Sequence, residues 1–216
     1  MTFWSIVTAL AVGALLFSER IGSRTGVWIA KPAASSAFIA VALAAGATGT
    51  AYGRAILAGL VLSWLGDVFL IPRSAPKLFL AGVGSFLLGH VAYAVAFFAR
   101  GIDLGTSVVA AAVVTALAVG VLAWLRPHVG ADMRLAVPAY IVVISVMVVT
   151  ALGTYALAGN PWIPLGAVGF YLSDLSVARD RFVADEFWNR IWGLPLYYGA
   201  QVVLAWSVHA ERVSAG

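Results

Sequence analysis

The stretch LSWLGDVFLIP, residues 62–72, sets Asp67 among Leu62, Trp64, Leu65, Val68, Phe69, Leu70 and Ile71, with no basic residue within five positions on either side. An apolar run of this kind, closed by Pro72, reads as the end of a membrane-spanning helix with an acid built into it. The composition agrees. Of 216 residues, 62% are hydrophobic and 10% charged, against about 25% charged in soluble domains. There is no cysteine, which excludes disulfide and thiolate chemistry. The net charge of +4 is small and lies in loops. It speaks of membrane topology and gives no reason to expect nucleic acid as a partner.

A spanning helix needs about 20 mostly apolar residues, within a range of about 17–25. Eight runs qualify: 2–17, 32–48, 53–71, 77–98, 104–125, 135–157, 162–178 and 188–208. The first has no Lys or Arg before it, and Glu19, Arg20 and Arg24 follow it. That order is the reverse of a secretory leader, so the run reads as a first span. The expected fold is all-α: one integral membrane domain over residues 1–216, a polytopic bundle of eight transmembrane helices with short loops.

Lys and Arg set the orientation. Loops after the odd-numbered spans hold Arg20, Arg24, Lys31, Arg73, Lys77, Arg126, Arg134, Arg179, Arg181 and Arg190, and the opposite side holds Arg54, Arg100 and Arg212. The odd loops are therefore expected in the cytoplasm and both termini on the non-cytoplasmic side. Trp4, Trp28, Trp124, Trp162, Trp188, Trp192 and Trp206 fall near span ends, as an interfacial belt does; Trp64 sits deeper. Only two of the thirteen basic residues are Lys. That bias suits a GC-rich bacterial genome, and the expected location is a bacterial inner membrane.

Three ionisable residues stand clear of the loops: Asp67, His90 and Asp174. An Asp at a helix centre costs about 2.5–3.5 kcal/mol on insertion scales and faces the bundle interior or a wet cavity. Each Asp lies five residues before the residue that closes its span, Pro72 or Arg179. At about 1.5 Å per residue both sit roughly 7 Å inside the same end of helices that run the same way. An offset of 107 residues carries Asp67 onto Asp174, Trp64 onto Tyr171 and Leu65 onto Leu172. This suggests a parallel duplication of four spans.

Polar neighbours share helix faces with these residues. His90 and Tyr93 are three apart, Ser63 lies one turn before Asp67, and Tyr197 and Gln201 are one turn apart. Ser85 and Gly89 form a small-xxx-small pair that lets another helix approach. Plainer roles compete. Ser63 and Ser173 can bond helix backbone or the adjacent Asp. Tyr93, Tyr197 and Tyr198 can be core aromatics with satisfied hydroxyls. His90 can be a hydrogen-bonded core residue, and Lys31, before Pro32, an interfacial cation opening the second span. No G-x-S-x-G turn supports a serine hydrolase. Asp67, His90 and Asp174 are types that suit zinc, but no paired-His spacing supports a metal site.

Five segments carry a family resemblance. They are Lys31-Pro32, Gly66-Asp67-Val68-Phe69-Leu70, Gly89-His90-Val91-Ala92-Tyr93, Ser173-Asp174 with Ala178, and Tyr197-Tyr198 with Gln201. In order and on the expected spans, they resemble the YhhN-like lysoplasmalogenases, eight-span membrane proteins. Val177 departs conservatively from the Leu expected there. The resemblance implies hydrolysis of the vinyl ether bond of an alkenyl lysophospholipid to a fatty aldehyde and a glycerophospho-base, with no cofactor or metal. It implies Asp67 and Asp174 as catalytic residues, and Lys31, His90, Tyr93, Ser173, Tyr197, Tyr198 and Gln201 as substrate-binding or supporting residues; Ser63 joins the supporting set by its place one turn before Asp67. The expected partners are the lysophospholipid and the surrounding lipids. Two carboxylates in different protonation states suit an oxocarbenium-like transition state, and the apolar neighbours of Asp67 favour it as the acid. The rival expectation is a small-solute or proton-coupled transporter using Asp67, His90 and Asp174.

Overall fold

The computed structural model describes residues 1–72 and 75–214, with side chains through residue 210. Arg73 and the side chain of Arg212, both used in the charge count, lie outside the described residues. The elements are α1 (Thr2–Arg20), α2 (Arg24–Ala44), α3 (Ala51–Phe69), α4 (Pro76–Arg100), α5 (Leu104–Leu125), α6 (Ala136–Ala158), α7 (Trp162–Ala178) and α8 (Phe187–Ser214), joined by short turns. The protein is an all-α bundle, and α1 to α6 are long and apolar enough to cross a membrane. Val108, Val109, Val113, Leu117 and Val119 of α5 are all largely exposed. A surface so apolar suits contact with lipid.

The second helix corrects the sequence reading. It starts at Arg24, where the Ser23 hydroxyl accepts from the Gly26 N–H at 3.2 Å, so Lys31-Pro32 lies within the helix instead of opening it. Pro32 lacks the N–H that would donate to the Trp28 carbonyl, yet its fixed φ is helical and the helix runs through. Lys31 is thereby carried roughly 10 Å past the helix start at about 1.5 Å per residue.

Close helix approach depends on missing side chains. In the α3–α4 hairpin, Gly59 lies against the Tyr93 ring and Gly66 against the Phe86 ring. A Cβ on Gly89 would come within 3.3 Å of the Gly59 carbonyl and the Ser63 hydroxyl. Ser85 donates to the Leu62 carbonyl at 2.6 Å, so Ser85 and Gly89 both face α3 as their spacing suggests. In α7–α8, Gly166 lies against Leu204, Gly169 against Ala200 and Gly193 against Ser176. Trp64, the deep tryptophan, donates from its indole to Ser36 on α2 at 3.1 Å.

Outside the spans, Asp103 caps α5 by accepting from the Thr106 N–H at 2.7 Å. Bonding from Thr106 holds the Asp103 carboxyl below its ordinary value. A depressed folded-state value stabilises the fold above the unfolded value and loses that effect as pH falls through the folded one. Asp103→Ala should therefore lower the thermal midpoint in detergent at neutral pH, with the gap from wild type closing on acidification. Gly59→Ala, pressing on Tyr93, should cost about 1–3 kcal/mol, whereas Gly84→Ala meets open space and should leave the midpoint at or above wild type.

Candidate functional site

Asp67, near the C-terminal end of α3, is buried and surrounded by donors from two other helices. The α2 residues supply the Ser35 hydroxyl, 2.6 Å from Oδ2, and the Lys31 ammonium, 3.4 Å from Oδ1. From α8 the Tyr197 hydroxyl donates to Oδ2 at 2.8 Å. Both oxygens are engaged, and the Lys31 ammonium, which can only donate, favours the ionised carboxylate. Tyr198 stands behind, its hydroxyl 3.4 Å from both Ser35 Oγ and the Lys31 carbonyl.

Asp174, at the matching end of α7, has a different setting. Tyr140 of α6 donates to its Oδ2 at 2.7 Å. His90 of α4 brings Nε2 to 3.5 Å from the same oxygen. The other oxygen, Oδ1, has no hydrogen-bond partner among the described residues, and the side chain is 19% exposed. Aromatic rings separate the two acid networks. Phe170 stacks on His90 with centroids 4.2 Å apart and lies 5.4 Å from the Tyr197 ring. Phe86 is 5.8 Å from Tyr197.

A third polar group lies deeper. Tyr93 donates to Gln201 Oε1 at 2.6 Å, and Gln201 Nε2 donates to Ser63 at 3.1 Å. These buried side chains satisfy one another and tie α3, α4 and α8 together. They do not line the cavity that Asp67 and Asp174 share. Ser63 thus bonds Gln201, while Ser173 donates to the Phe170 carbonyl at 2.7 Å, a helix-backbone bond. The zinc-like set is not assembled either. Asp67 is held by Lys31 on one side of the rings, and among the described residues no three His, Cys, Asp or Glu side chains converge.

Both acids line one cavity of about 1010 Å³. Its walls come from the C-terminal ends of α1, α3, α5 and α7 and the N-terminal ends of α2, α4, α6 and α8, so it belongs to one end of the bundle. The inner wall carries Phe86, Tyr140, Ile144 and Tyr197. Charges gather at the rim. Arg190 binds Asp180 at 3.1 Å, Asp185 at 2.5 Å and, across to α1, Glu19 at 3.7 Å. Arg179 binds Glu186 at 2.8 Å. Residues 179–186 thus form a connector in which Arg179 pairs with Glu186 while Asp180 and Asp185 pair with Arg190 of α8, and part of it forms the cavity rim.

Ser35 and Tyr140 were not legible as site residues. Ser35 carries a faint signal, one turn beyond Lys31. Tyr140, alone in the apolar run AVPAYIVVIS, resembles any core aromatic.

The YhhN family model matches residues 26–208. The chain belongs to the YhhN family. Its relatives include a Mycobacterium bovis protein named "Lysoplasmalogenase", 34% identical over 183 residues, covering 81% of this chain and 67% of that one. A Bos taurus protein named "Lysoplasmalogenase TMEM86A" is 31% identical over 163 residues, covering 73% and 66%. Its Homo sapiens counterpart is 32% identical over the same length. The chain spans about two thirds of the length of these relatives. No solved structure matches it. The YhhN segment contains every residue bonded to Asp67 or Asp174, whereas α1, which reaches the rim through Glu19, lies outside it.

Removing one partner of a buried ion pair costs about 3–5 kcal/mol because the other charge is stranded. Lys31→Met should approach the lower end of that range, since Ser35 and Tyr197 still hold Asp67. Lys31→Met with Asp67→Leu should recover much of the loss, measured as thermal midpoints in one detergent.

Proposed function

We propose that this YhhN-family protein is a membrane-embedded hydrolase that cleaves the vinyl ether bond of alkenyl lysophospholipids, releasing a fatty aldehyde and a glycerophospho-base. The names of its relatives point to that substrate. The observation that carries the reading is that Asp67 and Asp174 line the same cavity, one fully engaged and one with an oxygen free. The cavity volume is at the upper end of the roughly 300–1,000 Å³ usual for ligand sites and suits a single-chain lipid. The rim, with Arg24, suits the phosphate.

The protonation roles follow hydrogen bonding rather than sequence neighbours. Asp67 faces Lys31, Ser35 and Tyr197, so it has no proton to give. This reverses the assignment that its apolar sequence neighbours favour. Asp174 offers its proton to the alkenyl carbon remote from oxygen. The resulting oxocarbenium ion is stabilised by the negative charge of the two carboxylates. Water adds to the carbon bearing oxygen, and ionised Asp174 takes the released proton. The hemiacetal then breaks its C–O bond to the glycerol oxygen, and its hydroxyl proton passes to that oxygen. The balance is one water consumed, with Asp174 restored.

We read the architecture as eight spans in one domain, with both termini outside and the cavity opening to the cytoplasmic leaflet of a bacterial inner membrane. Ten of the thirteen basic residues favour that end. We read the halves as a duplication, because the 107-residue offset that relates the acids also carries His90 onto Tyr197 and Gly59 onto Gly166. His90 faces Asp174 as Tyr197 faces Asp67. The transporter reading is less well supported, since it asks for a midplane site reached from alternate sides and the acids line a cavity at one end of the bundle.

Purified protein given lysoplasmenylethanolamine should release fatty aldehyde. Asp174→Asn should lower kcat by about 100- to 10,000-fold, the usual weight of a general acid, and Asp67→Asn should lower it as well. Full activity in both variants would sink the proposal.

A further inference from the structure

His90 is wholly buried and does not line the cavity, so it touches no substrate. Its Nδ1 lies 2.7 Å from the Phe86 carbonyl oxygen. A carbonyl only accepts, so Nδ1 carries the hydrogen. In the neutral ring Nε2 is then a bare lone pair. That atom has no hydrogen-bond partner, and it points at Asp174 Oδ2, 3.5 Å away. Tyr140 already donates its proton to the same oxygen. Two acceptors facing each other in a buried site repel unless a proton lies between them.

We infer that His90 and Asp174 hold one proton between them, resting on the Asp174 carboxyl and donated to His90 Nε2, and that this is the proton delivered to substrate. The neutral arrangement avoids burying separated charges. The surrounding groups have other engagements. Tyr140 from α6 donates to Asp174, and Tyr197 from α8 donates to Asp67. Tyr93, on α4 itself, is bonded to Gln201. Asp67 of α3 is matched with Lys31 of α2. When the Asp174 carboxyl rotates and carries its protonated oxygen from His90 to the cavity side, the proton passes to the alkenyl carbon: a C–H bond forms and an O–H bond breaks. The pair becomes singly negative beside the positive oxocarbenium ion, and the proton of the attacking water restores it. His90 and Tyr140 are thus positioning residues acting through Asp174, an assignment that rests on the hydrolase reading.

Infrared spectroscopy of the full-length protein at neutral pH reads the proton directly. Wild type should show a carboxylic-acid carbonyl band that Asp174→Asn removes. His90→Asn keeps a donor near the Nδ1 position for the Phe86 carbonyl but removes Nε2. It should shift that band and lower kcat about 100-fold with KM near the wild-type value, and His90→Gln should recover part of kcat. A wild type without the band, a band that survives Asp174→Asn, or a His90→Asn enzyme with unchanged band and kcat would overturn the inference. Should His90→Asn fail to fold, Tyr140→Phe serves instead, because it removes a donor from the same oxygen; an unmoved band there overturns the inference too. Absence of aldehyde from wild type would defeat the hydrolase reading, while the band still decides the shared proton.

Discussion

The structure depends on how an acid survives inside an apolar bundle. Asp67 does so because α2 and α8 each bring donors to it: Lys31 and Ser35 from one, Tyr197 from the other. A carboxylate stripped of water costs several kcal/mol unless donors replace it. Those three contacts therefore constrain the placement of three helices. Running α2 through Pro32 is what carries Lys31 to the depth of Asp67. The glycines of α3 and α4, by admitting Tyr93 and Phe86, set the hairpin close enough for His90 to reach α7.

The two acids have distinct chemistry because their surroundings differ in kind. Donors saturate Asp67. Asp174 has one donor, one bare nitrogen and an oxygen left open to the cavity. The Phe86, Phe170 and Tyr197 rings between them keep the networks from merging. A carboxyl with both oxygens engaged and one with an oxygen open thus share a cavity without sharing a partner. The rim adds a separate layer, in which Arg190 gathers acids from α1 and from the connector after α7.

Much of the helix pattern was readable in the chain because an apolar run bounded by charge or proline has few other folds in lipid. The α5 and α7 limits coincide with the runs 104–125 and 162–178. The start of α2 was misread because Pro32 looks like a boundary, whereas the Ser23 cap lies further back. Asp67, His90, Asp174 and Tyr197 stood out because polar groups in apolar runs are costly. Tyr140 and Ser35 did not, since a lone Tyr or Ser in a spanning helix is ordinary and only its partner across the bundle gives it meaning.

The sequence by itself determined that the chain is a helical membrane protein, which residues are out of place in lipid, and that the two acids lie at one end of parallel helices. Hydropathy and spacing are local properties, and one helix suffices to express them. Only the tertiary structure decided which carboxyl is saturated and which is open. That depends on donors arriving from helices distant in sequence, and an apolar neighbour in the chain says nothing about them.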